Sequence, residues 1–145
     1  MTRAGRRPDQ MSTPPSAFPA LRLVSAISGV YDVIVGLVIL FATAAMASWF
    51  GLPPPVPEIM ADLNGVFLLA VGTGYVLPWR DPVRYRDYLW VMGPLLKGAG
   101  ATLFVYDFVA RGGPAAFLLF AASDGTLAVL TLWALLRSRP APAAG

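Results

Sequence analysis

The chain has 145 residues, of which 57% are hydrophobic and only 13% are charged, and its formal net charge is +3. A soluble domain carries about 25% charged residues, so this composition predicts a membrane protein rather than a soluble one. Cysteine and histidine are both absent, which excludes disulfides, thiolate or imidazole metal sites and histidine acid–base catalysis. We therefore predict neither a metal site nor a cofactor.

The N-terminal part divides into a polar tail and a first apolar run. Residues 1–19 are rich in Pro, Ser, Thr and Arg and predict a disordered cytosolic tail. Residues 21–50 are long and apolar enough for a first transmembrane helix, and Asp32 within the run argues against a cleaved signal peptide. Small and polar residues recur along this helix at helical spacing, which predicts a stripe that packs against another helix in lipid. The stripe consists of Ser25, Ser28, Gly29, Asp32 and Gly36.

A Pro-rich loop, LPPPVP, separates the first helix from a second one predicted over residues 59–78. Asp62, Gly65 and Gly72 share one face of this second helix. Five helical glycines are predicted to serve helix packing: Gly29, Gly36, Gly65, Gly72 and Gly100.

The third and fourth helices are predicted over residues 88–110 and 115–136, with a flexible tail at 138–145. Lys97, the only lysine of the chain, lies near the middle of the third helix. Pro94 precedes it by about one turn and predicts a kink there. Residues 20–137 thus form an all-α membrane domain, a bundle of four transmembrane helices.

The arginines predict the orientation of this bundle. Nine of the ten lie in the N-terminal tail, the second loop or the C-terminal end, and Arg111 alone lies elsewhere. The positive-inside asymmetry places both termini in the cytosol and predicts a multi-pass protein of the bacterial inner membrane. Because the arginines flank apolar runs, we interpret them as contacts to anionic lipid and not to nucleic acid.

Five buried charges are predicted to form two tiers. At a rise of about 1.5 Å per residue, Asp32 and Lys97 lie roughly 15 Å above the flanking arginines and Asp124 roughly 20 Å. Asp62 and Asp107 lie roughly 27–31 Å above them, in an outer tier near the opposite surface. These five residues are the candidates for ligand or proton binding.

The middle tier combines one cation with two carboxylates, so one negative charge is in excess. A charge at the bilayer centre costs roughly 2.5–3.5 kcal/mol, which implies either a partner for Lys97 or a water-filled site around it. The tight turn between the third and fourth helices favours Asp124 as that partner and leaves Asp32 as the surplus carboxyl. That surplus is met by a proton, by a bound cation or amine, or by water. The alternative is a purely structural ion pair that sets the helix register.

Several segments also carry a family resemblance. An arginine followed by SGVYDVIVGL, a Pro-rich first loop, the run NGVFLLAVGTGYVLPWRDPVRYR, a lysine in the third helix and an aspartate in the fourth occur in that order. Over about residues 21–137 this pattern resembles the small four-helix bacterial membrane proteins grouped as DoxX-like or as related uncharacterised families. The resemblance implies the four-helix fold and a link to quinone-associated redox chemistry, and it carries no catalytic residue over.

The leading functional hypothesis is a membrane protein that binds, or binds and moves, a small lipophilic or cationic molecule at the buried Asp/Lys site. A second hypothesis is a non-catalytic accessory subunit of a larger membrane complex, and a third is a proton-coupled transporter that works as an oligomer. An enzyme is the least favoured class, with acid–base chemistry of Asp, Lys and Tyr on a lipid as its only route. The expected partners are the lipid bilayer, the small ligand and either further copies of the chain or a membrane complex.

Overall fold

The computed structural model describes residues 18–138, so the predicted tails 1–19 and 138–145 lie almost wholly outside the described residues. Within the described part, the chain forms four helical spans that are long and apolar enough to cross a membrane, and no strand. The spans are Pro19–Trp49, Glu58–Arg80, Arg86–Arg111 and Ala115–Arg137. The predicted bounds differ from these by one or two residues. The four-helix membrane fold is confirmed, and the chain is a multi-pass membrane protein.

Three of the four spans are built from more than one helical element. The second contains α-helices Glu58–Gly74 and Val76–Arg80. The third contains α-helix Arg86–Trp90, π-helix Val91–Lys97 and α-helix Gly98–Arg111. The fourth begins with a 3-10 turn, Ala115–Phe117, and continues as α-helix Leu118–Arg137.

The π-helix stands where the sequence predicts a kink at Pro94. Proline has no N–H to donate, and in an α-helix its ring clashes with the carbonyl one turn earlier. The wider π turn accommodates that ring, and the π-helix runs from Val91 to Lys97. The irregular turn therefore ends at the buried lysine and sets the direction from which its side chain leaves the helix.

The first span has an interruption that the sequence analysis did not predict. Ala42 has non-helical backbone angles, φ −138° and ψ 25°, inside the span Pro19–Trp49. The hydroxyl of Thr43 donates a hydrogen bond to the carbonyl of Ile39 one turn earlier, an arrangement that bends helices. The last part of the first span is therefore offset from the rest.

Paired glycines bring the first and second spans together. A Cβ added to Gly36 would lie 2.9 Å from the carbonyl oxygen of Gly65, and one added to Gly29 would lie 2.9 Å from that of Gly72. Contacts this short leave room only for hydrogen on either helix. All five residues of the predicted stripe are buried, namely Ser25, Ser28, Gly29, Asp32 and Gly36, and its two glycines lie in this interface.

The third and fourth spans approach closely at a different glycine. A Cβ on Gly93 would lie 2.5 Å from Thr131 Cγ2. Gly100, which the sequence analysis assigns to packing, has a roomier setting, since its nearest atom would be Asp124 Oδ2 at 3.8 Å. Gly100 therefore contacts a cavity, described below, and not a tightly packed helix.

The two ends of the bundle differ. At the arginine end, Arg22 donates to the carbonyl of Arg80 at 3.0 Å, and Arg86 donates to the carbonyls of Leu135 and Ser138. Arginines here satisfy the free carbonyls at the C-termini of two spans. A tight apolar core lies beside them and contains Leu21, Tyr75, Leu89, Ala134 and Leu135. The opposite end, formed by residues 50–57 and 112–114 and called the loop end, is where the bundle opens.

Candidate functional site

The structure brings the three residues of the predicted middle tier into one ion cluster: Asp32, Lys97 and Asp124. Lys97 Nζ lies 2.5 Å from Asp32 Oδ1 and 3.2 Å from Asp124 Oδ1. Asp32 is 1% exposed, Lys97 5% and Asp124 20%. Three spans therefore meet at one ammonium group, and all three charges lie inside the bundle.

This geometry corrects the assignment of Asp124 as the sole partner of Lys97 with Asp32 left over. The ammonium contacts both carboxylates, and the contact to Asp32 is the shorter one. The first span packs against the fourth, so Asp32 reaches the same level as Asp124 from the other side of Lys97. The excess negative charge consequently belongs to the cluster as a whole.

Two further side chains join the cluster and were not predicted. Tyr31 Oη and Ser123 Oγ are 2.6 Å apart, which links the first and fourth spans beside the two aspartates. Lys97 Nζ lies 5.0 Å from the centroid of the Tyr31 ring, within the range of a cation–π contact. A signal for both was available, because each residue immediately precedes one of the aspartates in the sequence.

Asp32 has hydrogen-bonding capacity to spare. Its Oδ2 atom is buried and has no hydrogen-bond partner among residues 18–138. Ser28 Oγ and Tyr75 Oη share this condition, and Ser28 lies one turn from Asp32 on the same helix face. A buried acceptor without a partner costs about 1–3 kcal/mol, so these polar atoms are a feature that packing alone does not explain.

The ion cluster borders a cavity of about 610 Å³. This volume lies within the range of about 300–1,000 Å³ that is common for small-molecule sites. Aromatic rings form much of its wall: Tyr31, Phe50, Phe67, Phe104, Phe117 and Phe120. Its polar lining consists of Asp32, Thr43, Asn64, Lys97 and Asp124. A mostly apolar wall with a few polar groups is typical of a ligand site, and the charged groups of this one are gathered in the ion cluster.

The phenylalanines of the wall contact each other. The ring centroids of Phe50 and Phe120 are 5.9 Å apart in an edge-to-face arrangement. Phe104 lies 5.8 Å from both Phe117 and Phe120. Since aromatic pairs at such distances are mutually stabilising, this group forms an ordered apolar wall toward the loop end.

The cavity lies where the second and third spans are separated. Helix Glu58–Gly74 packs against the first span and helix Gly98–Arg111 against the fourth, while these two helices are not packed closely on each other within the described residues. Phe67 lines the cavity and is 47% exposed, and Asn64 is exposed as well. The cavity is therefore open on this side, and residues Leu52, Pro53 and Pro55 border it at the loop end.

The predicted outer tier is not part of this site. Asp107 pairs with Arg111 at 3.6 Å, and the Arg111 guanidinium lies 5.2 Å from the ring of Tyr106. Asp62 forms no ion pair with another described residue. Neither Asp62 nor Asp107 lines the cavity. The structure thus joins three of the five predicted site residues and leaves the other two apart.

Comparison of this chain with family models, with curated proteins and with solved structures finds no match. The resemblance to DoxX-like proteins accordingly stays a prediction. The geometry of the cavity and of the ion cluster at its inner end therefore carries the functional proposal.

Proposed function

We propose that this membrane protein binds a small lipophilic molecule in the cavity, with the apolar body among the phenylalanines and a polar head at the ion cluster. The observation that carries the proposal is the position of the cluster. Asp32, Lys97 and Asp124 line a cavity whose remaining wall is largely apolar. This arrangement matches an amphipathic ligand, since few polar groups orient a molecule whose bulk is held by apolar contacts.

A purely structural ion pair explains the same charges less well. Replacing a buried ion pair by packed apolar residues is often neutral or stabilising, so stability alone gives little reason to retain one. A structural pair also needs no adjoining cavity and no spare acceptor, whereas Asp32 has both. Ionisable residues inside a membrane commonly mark a functional site.

The route to the site is consistent with a ligand dissolved in the membrane. The cavity is open between the second and third spans, and the arginine end is closed by guanidinium–carbonyl bonds and a tight core. A molecule could therefore reach the cluster through the gap between these spans or from the loop end, while the described residues close the arginine end. Movement of the ligand across the membrane would require the arginine end to open, so binding is the primary proposal and transport an extension of it. We propose the bacterial inner membrane as the location of the protein.

A cavity-filling variant tests the proposal. Gly100 lines the cavity, and a side chain added there meets Asp124 only at an ordinary contact distance. Gly100→Leu should occupy the part of the cavity beside Asp124 while the helices stay packed. Ala99→Leu is the matched control, because Ala99 is the adjacent exposed position on the same helix.

The measurement is mass spectrometry of small molecules extracted from the protein purified with its native membrane. We expect a molecule that is present with the parent chain and with Ala99→Leu and depleted from Gly100→Leu. Identical extracts from all three proteins would contradict binding in this cavity. The accessory-subunit hypothesis would then be the better account of the fold.

A further inference from the structure

The charge of the ion cluster and its position on the cavity wall together indicate what kind of head group the cavity accepts. We propose that the ligand is a lipophilic amine whose protonated nitrogen binds at the ion cluster, beside Asp32 and Asp124. This inference rests on the proposed function and names the chemical class of its ligand.

The first support is the hydrogen-bond inventory of the cluster. An ammonium group has three N–H donors and no acceptor, and Lys97 uses two of them on Asp32 Oδ1 and Asp124 Oδ1. The Tyr31 ring lies on a further side of Lys97. A carboxylate has two acceptor oxygens, and Lys97 contacts only Oδ1 of Asp124, which lines the cavity and is 20% exposed. A ligand with an N–H group can therefore donate to the carboxylate oxygen of Asp124 that Lys97 does not contact.

The second support is the charge. With one lysine and two aspartates ionised, the cluster has one negative charge in excess. An anionic head would add to this excess and find its only cation already shared by two carboxylates. A neutral alcohol would donate a hydrogen bond and leave the charge unbalanced. A protonated amine both donates the bond and balances the charge, and the face of Tyr31 is an additional contact for a cation.

The third support is the shape of the surroundings. Asp32 lies at the inner end of the cavity and the phenylalanine wall lies toward the loop end. An alkyl or aromatic body attached to the amine would extend from the cluster toward that wall. The binding energy of the body would come from burial of apolar surface against Phe104, Phe117 and Phe120.

Three probes with one alkyl body and different heads test this inference: decylamine, decanol and decanoate. Each is titrated calorimetrically into phosphatidylcholine nanodiscs that hold the full chain. Discs with Gly100→Leu provide the reference for partitioning into lipid, and Ala99→Leu should behave as the parent chain does. Both decylamine and decanol can donate a hydrogen bond to a carboxylate, but only the ammonium adds the attraction of an opposite charge. We therefore expect decylamine to bind about tenfold more tightly than decanol and decanoate to bind least.

Asp32→Asn should abolish the preference for decylamine over decanol. Equal or tighter binding of decanol or decanoate to the parent chain would overturn the inference, as would an undiminished amine preference in Asp32→Asn. If Asp32→Asn does not fold, the order of the three probes on the parent chain decides alone. Failure of all three probes, alongside a native molecule that Gly100→Leu displaces, would overturn the amine head and leave the proposed function standing. Failure of all probes without such a molecule would overturn both.

Discussion

At the scale of single residues, the central feature is an ammonium shared by two carboxylates. Lys97 contacts Asp32 from the first span and Asp124 from the fourth, so it neutralises negative charge on both of its neighbours. Removing one partner from a buried ion pair leaves an uncompensated charge. The stability lost in this way is much larger than the net stability that the pair contributes. The cluster is therefore sensitive to single changes and tolerant of compensating double changes.

Lys97→Met should lower stability strongly, by about 3–5 kcal/mol, because two buried carboxylates lose their cation. Protonation of those carboxylates removes the uncompensated charge, so the deficit relative to the parent chain should shrink as pH falls. Melting curves in detergent at neutral and at acidic pH measure this. A deficit that does not change with pH would mean that the aspartates are not charged in the parent protein.

Double mutants apportion the pairing. Lys97→Met combined with Asp32→Asn, or with Asp124→Asn, should be milder than Lys97→Met alone, since each removes one of the unpaired charges. We expect the larger coupling with Asp32, which is closer to Lys97 and more deeply buried. The same melting experiment gives both couplings. Strict additivity of Lys97 with both aspartates would show that Lys97 pairs with neither.

At the scale of the helical elements, glycines perform two different tasks. Gly29, Gly36, Gly65 and Gly72 allow the first and second spans to touch backbone to backbone. Gly112 instead ends a helix in the left-handed conformation, with φ +68° and ψ 28°. A Cβ added there would meet no described atom within 4 Å. Replacing glycine by alanine should therefore lower stability at both kinds of position, by a steric clash in the interface and by backbone strain at Gly112.

Gly36→Ala should destabilise the protein by about 1–3 kcal/mol, the usual cost of overpacking. The added Cβ would lie 2.9 Å from the Gly65 carbonyl, and that backbone atom cannot move aside cheaply. Gly98→Ala is the matched control: its Cβ would meet only Ala128 Cβ at 3.9 Å, and alanine is the better helix former. Melting temperatures of the two variants compare them, and equal losses at both positions would contradict the interface.

Gly112→Ala should also lower stability, by about 1–2 kcal/mol, because a Cβ disfavours the left-handed region. The sequence predicted a tight turn here but not its backbone angle. Gly112→Asn should be milder, since asparagine tolerates that region better. A melting curve that places Gly112→Ala level with the parent chain would show that the turn can adopt another conformation.

At the scale of the whole molecule, the bundle has one closed end and one open end. The arginines at the closed end bond to helix carbonyls, and the cavity reaches the loops at the other end. The positive-inside rule predicts that the arginine end is cytosolic. The cavity would then open in the outer half of the membrane and toward the periplasmic loops.

Cysteine labelling in whole cells tests this orientation directly, since the chain contains no cysteine of its own. Arg84→Cys and Ser138→Cys, both at the arginine end, should react with a membrane-impermeant reagent only after the cells are opened. Pro54→Cys, at the loop end, should react in intact cells. Labelling of position 54 only in opened cells would reverse the predicted topology.

The sequence by itself was sufficient to locate the four helical spans and the charged residues within them. Apolar runs separated by Pro-rich and Arg-rich segments locate four helices, because a bilayer admits only long apolar helices at this composition. Helical spacing likewise identified the stripe from Ser25 to Gly36, since its face repeats every turn. Lys97 and the aspartates could be singled out because each charge interrupts an otherwise apolar run.

Only the tertiary structure decided which of those charges meet. Depth estimated along a helix leaves its rotation and its neighbours open, so it could not show that Lys97 reaches Asp32 and Asp124 at once. It could not show either that Asp62 and Asp107 lie apart from them, or that Tyr31 and Ser123 join the cluster. The π turn at Pro94, the bend at Ala42 and the separation of the second and third spans, between which the cavity lies, likewise became visible only in the folded chain. Such a cavity arises from contacts between distant segments, which no local pattern encodes.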